Sequence, residues 1–152
     1  MTGLFADRDV KTLSAGAQLT LWCVRVWVRH MHEREPAMPC LRRGLDLAGV
    51  PDGLEEIHAV LDLIGRTAEG KLSFGGCRCR PVTADESCVL AAIQTAQAGD
   101  RVTATRYFGA WMPPVAARDA ALHAARFGRC LDAAEMPVGL AWDRSPARRR
   151  LH

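Results

Sequence analysis

The sequence predicts an all-α protein, built as a single-domain antiparallel bundle of five to six helices with short loops. Alanine and leucine dominate the apolar residues, whereas isoleucine and tyrosine are sparse, and this composition favours helix over sheet. Apolar side chains recur at helical spacing in several segments of the chain. The connections between these segments are short and carry glycine or proline, which is typical of helices that run antiparallel to their neighbours.

Length and composition indicate one domain. A chain of 152 residues with 49% hydrophobic and 24% charged residues has an ordinary globular balance. Folding hides roughly 70% of the surface of a chain of this size, so neither a disulfide nor a metal is needed for stability. We expect one helical domain over residues 1–142 and a basic, flexible tail over residues 143–152.

The longest helix is predicted over residues 10–33, with Asp9 as its cap, and we expect it to form the centre of the domain. Its apolar stripe is wide and includes Trp22 and Trp27. Five residues separate these tryptophans, which places them about 140° apart on a helix. One of them is therefore expected at an interface with a partner, unless a second layer of helices covers both. The stripe is defined by Leu13, Ala17, Leu21, Val24, Val28 and Met31.

A strand is an alternative interpretation for residues 19–28. This stretch is rich in β-branched and aromatic residues, which favour sheet. We prefer a helix because the helical period continues on both flanks and no hairpin partner lies nearby. Arg25 interrupts the apolar run, which is too short for the roughly 20 residues of a membrane span, so no membrane association is expected.

Five further helices follow a proline-rich break. Thr83 and Glu86 have the spacing of a capping box, in which each residue satisfies a backbone N–H of the other. Asp52 and Glu55 show a similar start signal, and Gly99-Asp100 ends one helix and caps the next. The five helices are predicted over residues 39–48, 53–68, 84–98, 101–111 and 114–134.

Three of the six cysteines gather around one predicted helix start. Cys77 and Cys79 lie in a loop at residues 71–81, and Cys88 lies in the second turn of the following helix. The arginines on either side of Cys79 and the helix N-terminus favour the thiolate form, which binds metals and attacks electrophiles. We therefore predict a candidate metal site with these three cysteines as ligands and zinc as the metal. A structural zinc needs four ligands, and tertiary contact would have to supply the fourth from Cys40, His58, His123 or Cys130.

The same cysteines allow two other interpretations. In a redox-responsive protein an exposed thiolate pairs with a resolving thiol, and Cys79 and Cys88 could meet if the loop folds onto the helix. In a purely structural role, Cys88 packs as a small apolar residue while Cys77 and Cys79 stay reduced in the loop. Spacing does not decide between these alternatives and the metal site.

No catalytic constellation is visible in the sequence. The nucleophile elbow, the phosphate-binding loop and the dinucleotide fingerprint are all missing. The sequence therefore favours a non-catalytic adaptor, scaffold or regulatory interaction module over an enzyme. Its partner is an unknown protein, with self-association through the wide apolar helix as a further expectation. A metal- or redox-responsive protein that uses Cys77, Cys79 and Cys88 is the alternative.

Two further expectations concern location and nucleic acid. Charged residues precede the first apolar run, which is not the pattern of a secretory signal, so we expect a cytoplasmic protein. The net charge of +3 is small, but an arginine-rich tail could contact phosphates. A nucleic-acid-associated protein is the least favoured hypothesis, because no aromatic residues interleave these arginines. The tail arginines are Arg144, Arg148, Arg149 and Arg150.

Overall fold

The computed structural model describes residues 4–141, and within them every regular element is helical. The all-α class is therefore confirmed, while the antiparallel arrangement of the helices stays a prediction. Among the described residues, β-type backbone pairing is limited to two isolated β-bridges. Single 3-10 turns at Val10–Thr12 and Pro51–Gly53 precede two of the helices. The helices are α1 (Ala15–Glu33), α2 (Met38–Ala48), α3 (Leu54–Thr67), α4 (Ala84–Gln97), α5 (Arg101–Gly109) and α6 (Pro114–Ala133).

The first helix begins later than the sequence predicts, and ten of its 19 residues are buried. Asp9 caps the 3-10 turn, and Ser14 caps α1 by accepting a hydrogen bond from the Ala17 amide at 3.2 Å. The strand alternative for residues 19–28 is wrong, because the helical period of the flanks carries through the β-branched stretch. The most extensive packing joins α4 to α6, while α1 packs against α2, α3 and α4.

Each tryptophan of α1 packs against a glycine of a neighbouring helix. A Cβ placed on Gly44 of α2 would overlap the ring of Trp22, and one on Gly65 of α3 would overlap the ring of Trp27. The two glycines therefore let flat aromatic rings lie against the helix backbone, where any larger residue would push them away. Trp27 is thereby buried, whereas Trp22 is half-buried, and a partner contact at Trp22 stays a prediction.

The helix ends are partly those that the sequence predicts. The capping box of α4 is confirmed: the Glu86 amide donates to Thr83 Oγ1 at 3.0 Å, and the Thr83 amide donates to the Glu86 carboxylate at 2.9 Å. Asp100 caps α5 through the Thr103 amide, also at 3.0 Å. The predicted start at Asp52 is wrong, because this residue lies inside the 3-10 turn and α3 begins after Gly53 without a side-chain cap.

The last described residues return to the start of α1. Ser14 Oγ donates to the Pro137 carbonyl at 2.7 Å and accepts from the Gly139 amide at 2.9 Å. The Gln97 side chain holds the same segment from α4 by accepting from the Val138 amide at 2.8 Å. None of the helices within residues 4–141 has the length and apolar character that crossing a membrane requires. The predicted basic tail at residues 143–152 lies outside the described residues.

Candidate functional site

The connection between α3 and α4 is the longest stretch without a helix among the described residues. It covers residues 68–83 and is called here the α3–α4 loop. Loops longer than about 12–15 residues without secondary structure are uncommon in compact domains and are usually either functional or disordered segments. This loop contains Cys77 and Cys79, and Cys77 is exposed at its tip.

A buried ion pair lies beneath the loop. Arg25 of α1 donates from Nε to Glu86 Oε2 at 2.8 Å and from Nη2 to Glu86 Oε1 at 3.0 Å, which makes the contact bidentate. Arg25 is 5% exposed and Glu86 is fully buried. A charge with so little contact with water is tolerated only when its partners replace the lost solvation.

Both members of the pair also bind the backbone of the loop. Arg25 Nη1 donates to the Cys79 carbonyl at 2.6 Å, and Arg25 Nη2 donates to the Pro81 carbonyl at 3.2 Å. The Glu86 carboxylate accepts from the Gly75 amide at 2.9 Å and from the Thr83 amide at the same distance. One ion pair therefore fixes the loop at four backbone positions.

The other side of the loop pairs with the beginning of the chain. The Val10 amide donates to the Arg80 carbonyl at 2.8 Å, and the Val82 amide donates to the Arg8 carbonyl at 2.9 Å. The N-terminal segment thus holds the Arg80 carbonyl from one side. From the other side, Arg25 holds the carbonyls of the residues before and after it, Cys79 and Pro81. The C-terminal half of the α3–α4 loop has a single, well-defined path as a result.

The electrostatics of the pair follow from its burial and its hydrogen bonds. Burial alone would raise the pKa of Glu86, but hydrogen bonds from Arg25, Thr83 and Gly75 hold the pKa below its usual value. The hydrogen bond to Glu86 raises the pKa of Arg25 above its usual value. Both groups are charged at neutral pH. Because both carboxylate oxygens are engaged and enclosed, Glu86 is suited to holding the loop rather than to accepting a proton from a substrate.

The three predicted ligands are not brought together. The Cys79 thiol donates to the Pro81 carbonyl at 3.5 Å, within the loop. The Cys88 thiol donates to the Tyr107 carbonyl of α5 at 3.4 Å. Cys88 and Glu86 are two positions apart, about 200° around the helix, so Cys88 faces away from the side of α4 that holds the loop. Burial, and then Asp85, raises the pKa of Cys88 to about 11.

This arrangement bears on both chemical hypotheses from the sequence. Across residues 4–141 no three His, Cys, Asp or Glu side chains are placed to share a metal ion. Of the proposed fourth ligands, His123 instead contacts Glu56 of α3, with Nδ1 and Oε2 2.8 Å apart. Zinc bound by Cys77, Cys79 and Cys88 stays a prediction without geometric support. A redox pair of Cys79 and Cys88 likewise stays a prediction without geometric support, because the two thiols contact different elements.

A shallow cleft of about 190 Å³ opens beside the ion pair. It lies between the 3-10 turn that precedes α1, the exposed side of α1 and the tip of the α3–α4 loop. Both apolar and polar residues line it. The cleft is lined by Val10, Gln18, Leu21, Trp22, Arg25 and Cys77.

The role of Arg25 is not evident from the sequence. The residue is visible only as an interruption of the apolar run, and Glu86 only as half of a capping box. A signal was nevertheless present, because an arginine on the buried side of an apolar helix needs an anionic partner elsewhere in the chain. The sequence does not show which of the 17 acidic residues is that partner.

No family model matches the chain, and neither a curated protein nor a solved structure is significantly similar to it. The geometry around Arg25, Glu86 and the α3–α4 loop is therefore the basis for the function proposed below.

Proposed function

We propose that the protein is a non-catalytic interaction module whose recognition element is the α3–α4 loop and whose partner is a protein with an acidic surface. The observation that carries this proposal is the buried Arg25–Glu86 pair, which fixes the loop at four backbone positions. The pair connects the shape of an exposed loop to the core of the helical domain. Loops held in this way by a rigid scaffold are common binding elements.

The energetics of a buried ion pair support a role beyond stability. Removing two charges from water costs several kcal/mol per ion, and packed apolar residues of similar volume are often as stable or more stable. Arg25 and Glu86 are thus a costly way to fill the space beneath the loop. What this ion pair provides is a defined loop conformation. A loop that is already ordered loses less conformational entropy when it binds a partner.

The exposed charges of the loop favour an acidic partner. Lys71, Arg78 and Arg80 are exposed, and their positive charge is opposed within the loop only by Glu69. The nearest carboxylate to Arg80 is that of Asp9, with Nε and Oδ2 4.0 Å apart and both side chains largely in solvent. A pair of this kind is weak and leaves the guanidinium free to exchange partners. Arginine binds carboxylates through two parallel hydrogen bonds, so acidic side chains are the matching chemistry.

Site-specific photo-crosslinking tests this proposal. A benzophenone amino acid is placed at Arg78, in the loop, and separately at Arg118, an exposed arginine of α6 that serves as the matched control. Both proteins are illuminated in cells that produce the chain, and the adducts are separated by mass. The proposal expects an adduct from position 78 that position 118 does not give.

Charge variants decide whether the adduct reflects recognition by the loop. Combining the crosslinker at position 78 with Arg80→Glu is expected to abolish the adduct, whereas Arg80→Lys is expected to retain most of it. An adduct with twice the mass of the chain would identify the partner as a second copy. Identical adducts from positions 78 and 118, or an adduct unaffected by Arg80→Glu, would contradict the proposal.

A further inference from the structure

We infer that residues 71–75 of the α3–α4 loop bind an extended segment of the acidic partner by strand addition, with the backbone of Leu72 and Phe74 as the pairing edge. The partner is the one proposed above, so this inference rests on that proposed function and specifies how the loop binds it. The stretch runs without a turn or bend. Its backbone hydrogen bonds alternate along the chain, and this alternation leaves one edge unpaired.

One edge of the stretch is bound to the start of α4. The Ser73 amide donates to Asp85 Oδ2 at 2.6 Å, and the Ser73 carbonyl accepts from Thr83 Oγ1 at 2.7 Å. The Gly75 amide, two residues further on, donates to Glu86 Oε2 at 2.9 Å. Both backbone groups of Ser73 and the amide of Gly75 therefore point to the same helix, as the backbone groups of alternate residues in a strand do.

The opposite edge has no partner within the chain. Successive residues of an extended segment direct their backbone groups to opposite edges, so the groups of Leu72 and Phe74 point away from the start of α4. In the described part of the chain, neither the N–H nor the C=O of these two residues takes part in a hydrogen bond. A row of unpaired donors and acceptors along an extended edge is a template for pairing with another extended chain.

The side chains of the stretch determine which segment fits this edge. Leu72 and Phe74 are half-buried and pack against the core, whereas Lys71 and Ser73 are exposed. Residues that lie opposite each other in an antiparallel pair carry their side chains on the same face. A bound segment therefore places apolar side chains opposite Leu72 and Phe74. Its intervening side chains lie on the face of Lys71, where a carboxylate is the matching charge, so the fitting segment alternates apolar and acidic residues.

Amide hydrogen exchange read by NMR tests this edge in the full chain. Without a ligand, the amides of Leu72 and Phe74 are expected to exchange about tenfold faster or more than those of Ser73 and Gly75, because only the latter two are hydrogen-bonded to carboxylates. The probe is a capped peptide of about nine residues that alternates valine and glutamate, added at millimolar concentration. At saturation it is expected to slow exchange at Leu72 and Phe74 about tenfold and to leave Ser73 and Gly75 unchanged.

N-methylated peptides decide whether backbone pairing causes this protection. Methylation of the valine nitrogens removes the N–H groups that meet the loop in an antiparallel pair, and this peptide is expected to give no protection. Methylation of the glutamate nitrogens changes only the outer edge, and this peptide is expected to protect as the parent does. Equal protection by the two methylated peptides, or protection by none of the peptides, would overturn the inference. Protection that rises with the concentration of the chain alone would also overturn it, because a second copy would then occupy the edge.

Variants of the chain test the charge preference and separate strand addition from the proposed function. Lys71→Glu is expected to weaken binding of the peptide about fivefold, whereas Arg118→Glu on α6 makes the same change of charge elsewhere and leaves binding unchanged. An Arg78 crosslink without protection of Leu72 and Phe74 would support the acidic partner but overturn strand addition. Protection of these amides without a crosslink would support strand addition and contradict the proposed protein partner.

Discussion

The guanidinium of Arg25 and the carboxylate of Glu86, 61 residues apart in the chain, meet through two hydrogen bonds of 2.8 and 3.0 Å beneath the α3–α4 loop. Each group also binds two backbone groups of that loop. The conformation of an exposed loop is therefore set by a charge pair that solvent does not reach. Four predictions follow from this pair and from the packing of α1.

Replacing Glu86 with glutamine is expected to lower the free energy of unfolding by about 3–5 kcal/mol, because it leaves the buried Arg25 charge without a counter-charge. Urea unfolding followed by circular dichroism measures the change. Glu69→Gln removes an exposed carboxylate from the same loop and is the matched control, with an expected change within about 0.5 kcal/mol. Equal stability of the Glu86→Gln variant and the wild type would show that the pair is energetically neutral.

The double replacement Arg25→Met and Glu86→Leu is expected to keep the helices but release the loop. It removes both charges, so no unpaired ion remains in the core, yet the Gly75 and Thr83 amides lose their acceptor. Hydrogen exchange read by NMR should show these two amides exchanging about tenfold faster or more, since each loses a net hydrogen bond of roughly 1–3 kcal/mol to a charged group. The Thr103 amide, held by Asp100, is the internal reference and should not change.

Acid is expected to reduce the stability difference between the wild type and Glu86→Gln. The folded pKa of Glu86 lies below its ordinary value of 4.5, so the unfolded chain binds the proton more readily. The stabilisation is full above pH 4.5 and declines as pH falls through the folded pKa, by about 1.4 kcal/mol per pH unit between the two values. Arg25, whose pKa is raised above its usual value by its hydrogen bond to Glu86, stays charged throughout. Unfolding curves at pH 7, 4 and 3 measure this, and a constant difference between the two proteins would contradict it.

Gly44→Ala is expected to destabilise the protein by about 1–3 kcal/mol, because its Cβ would overlap the Trp22 ring and force the ring or α2 to move. Gly109→Ala provides the matched control in another helix, where an added Cβ meets no atom within 4 Å. That change is expected to stabilise by a few tenths to about 1 kcal/mol, through the lower flexibility of the unfolded chain. Thermal unfolding followed by Trp fluorescence compares the two variants, and equal shifts would argue against the predicted contact.

Local signals in the sequence predicted much of the fold. The class, the six helices and the capping box at Thr83 and Glu86 depend on residues close together in the chain, and these were predictable. The start of α3 was not predictable, because Pro51–Gly53 form a 3-10 turn that takes Asp52 out of the capping position. The strand-forming residues of α1 are helical because tertiary packing outweighs their modest local preference.

The site could be predicted only in part. The sequence points to the loop at residues 71–81 and to the helix start at Thr83, but the ion pair depends on contacts across three elements. Glu86 carries two functions, since it completes the capping box and neutralises Arg25, and only the first leaves a local signature. The side of α4 that Cys88 faces follows from helix geometry once Glu86 is known to face the loop.

The contact between Ser14 and Gly139 has a consequence for the order in which the chain assembles. The two residues are 125 positions apart, and the hydroxyl that caps α1 also binds the last described segment. Helices α4, α5 and α6 follow one another in the chain and pack against one another, so they can associate as soon as they are synthesised. The hydrogen bonds of Ser14 at the start of α1, by contrast, are complete only when nearly the entire described chain has been synthesised. Of the described helices, α1 is synthesised first and is the last to have its N-terminal cap completed, so its first turn is a place where a chaperone or a protease can act on the growing polypeptide.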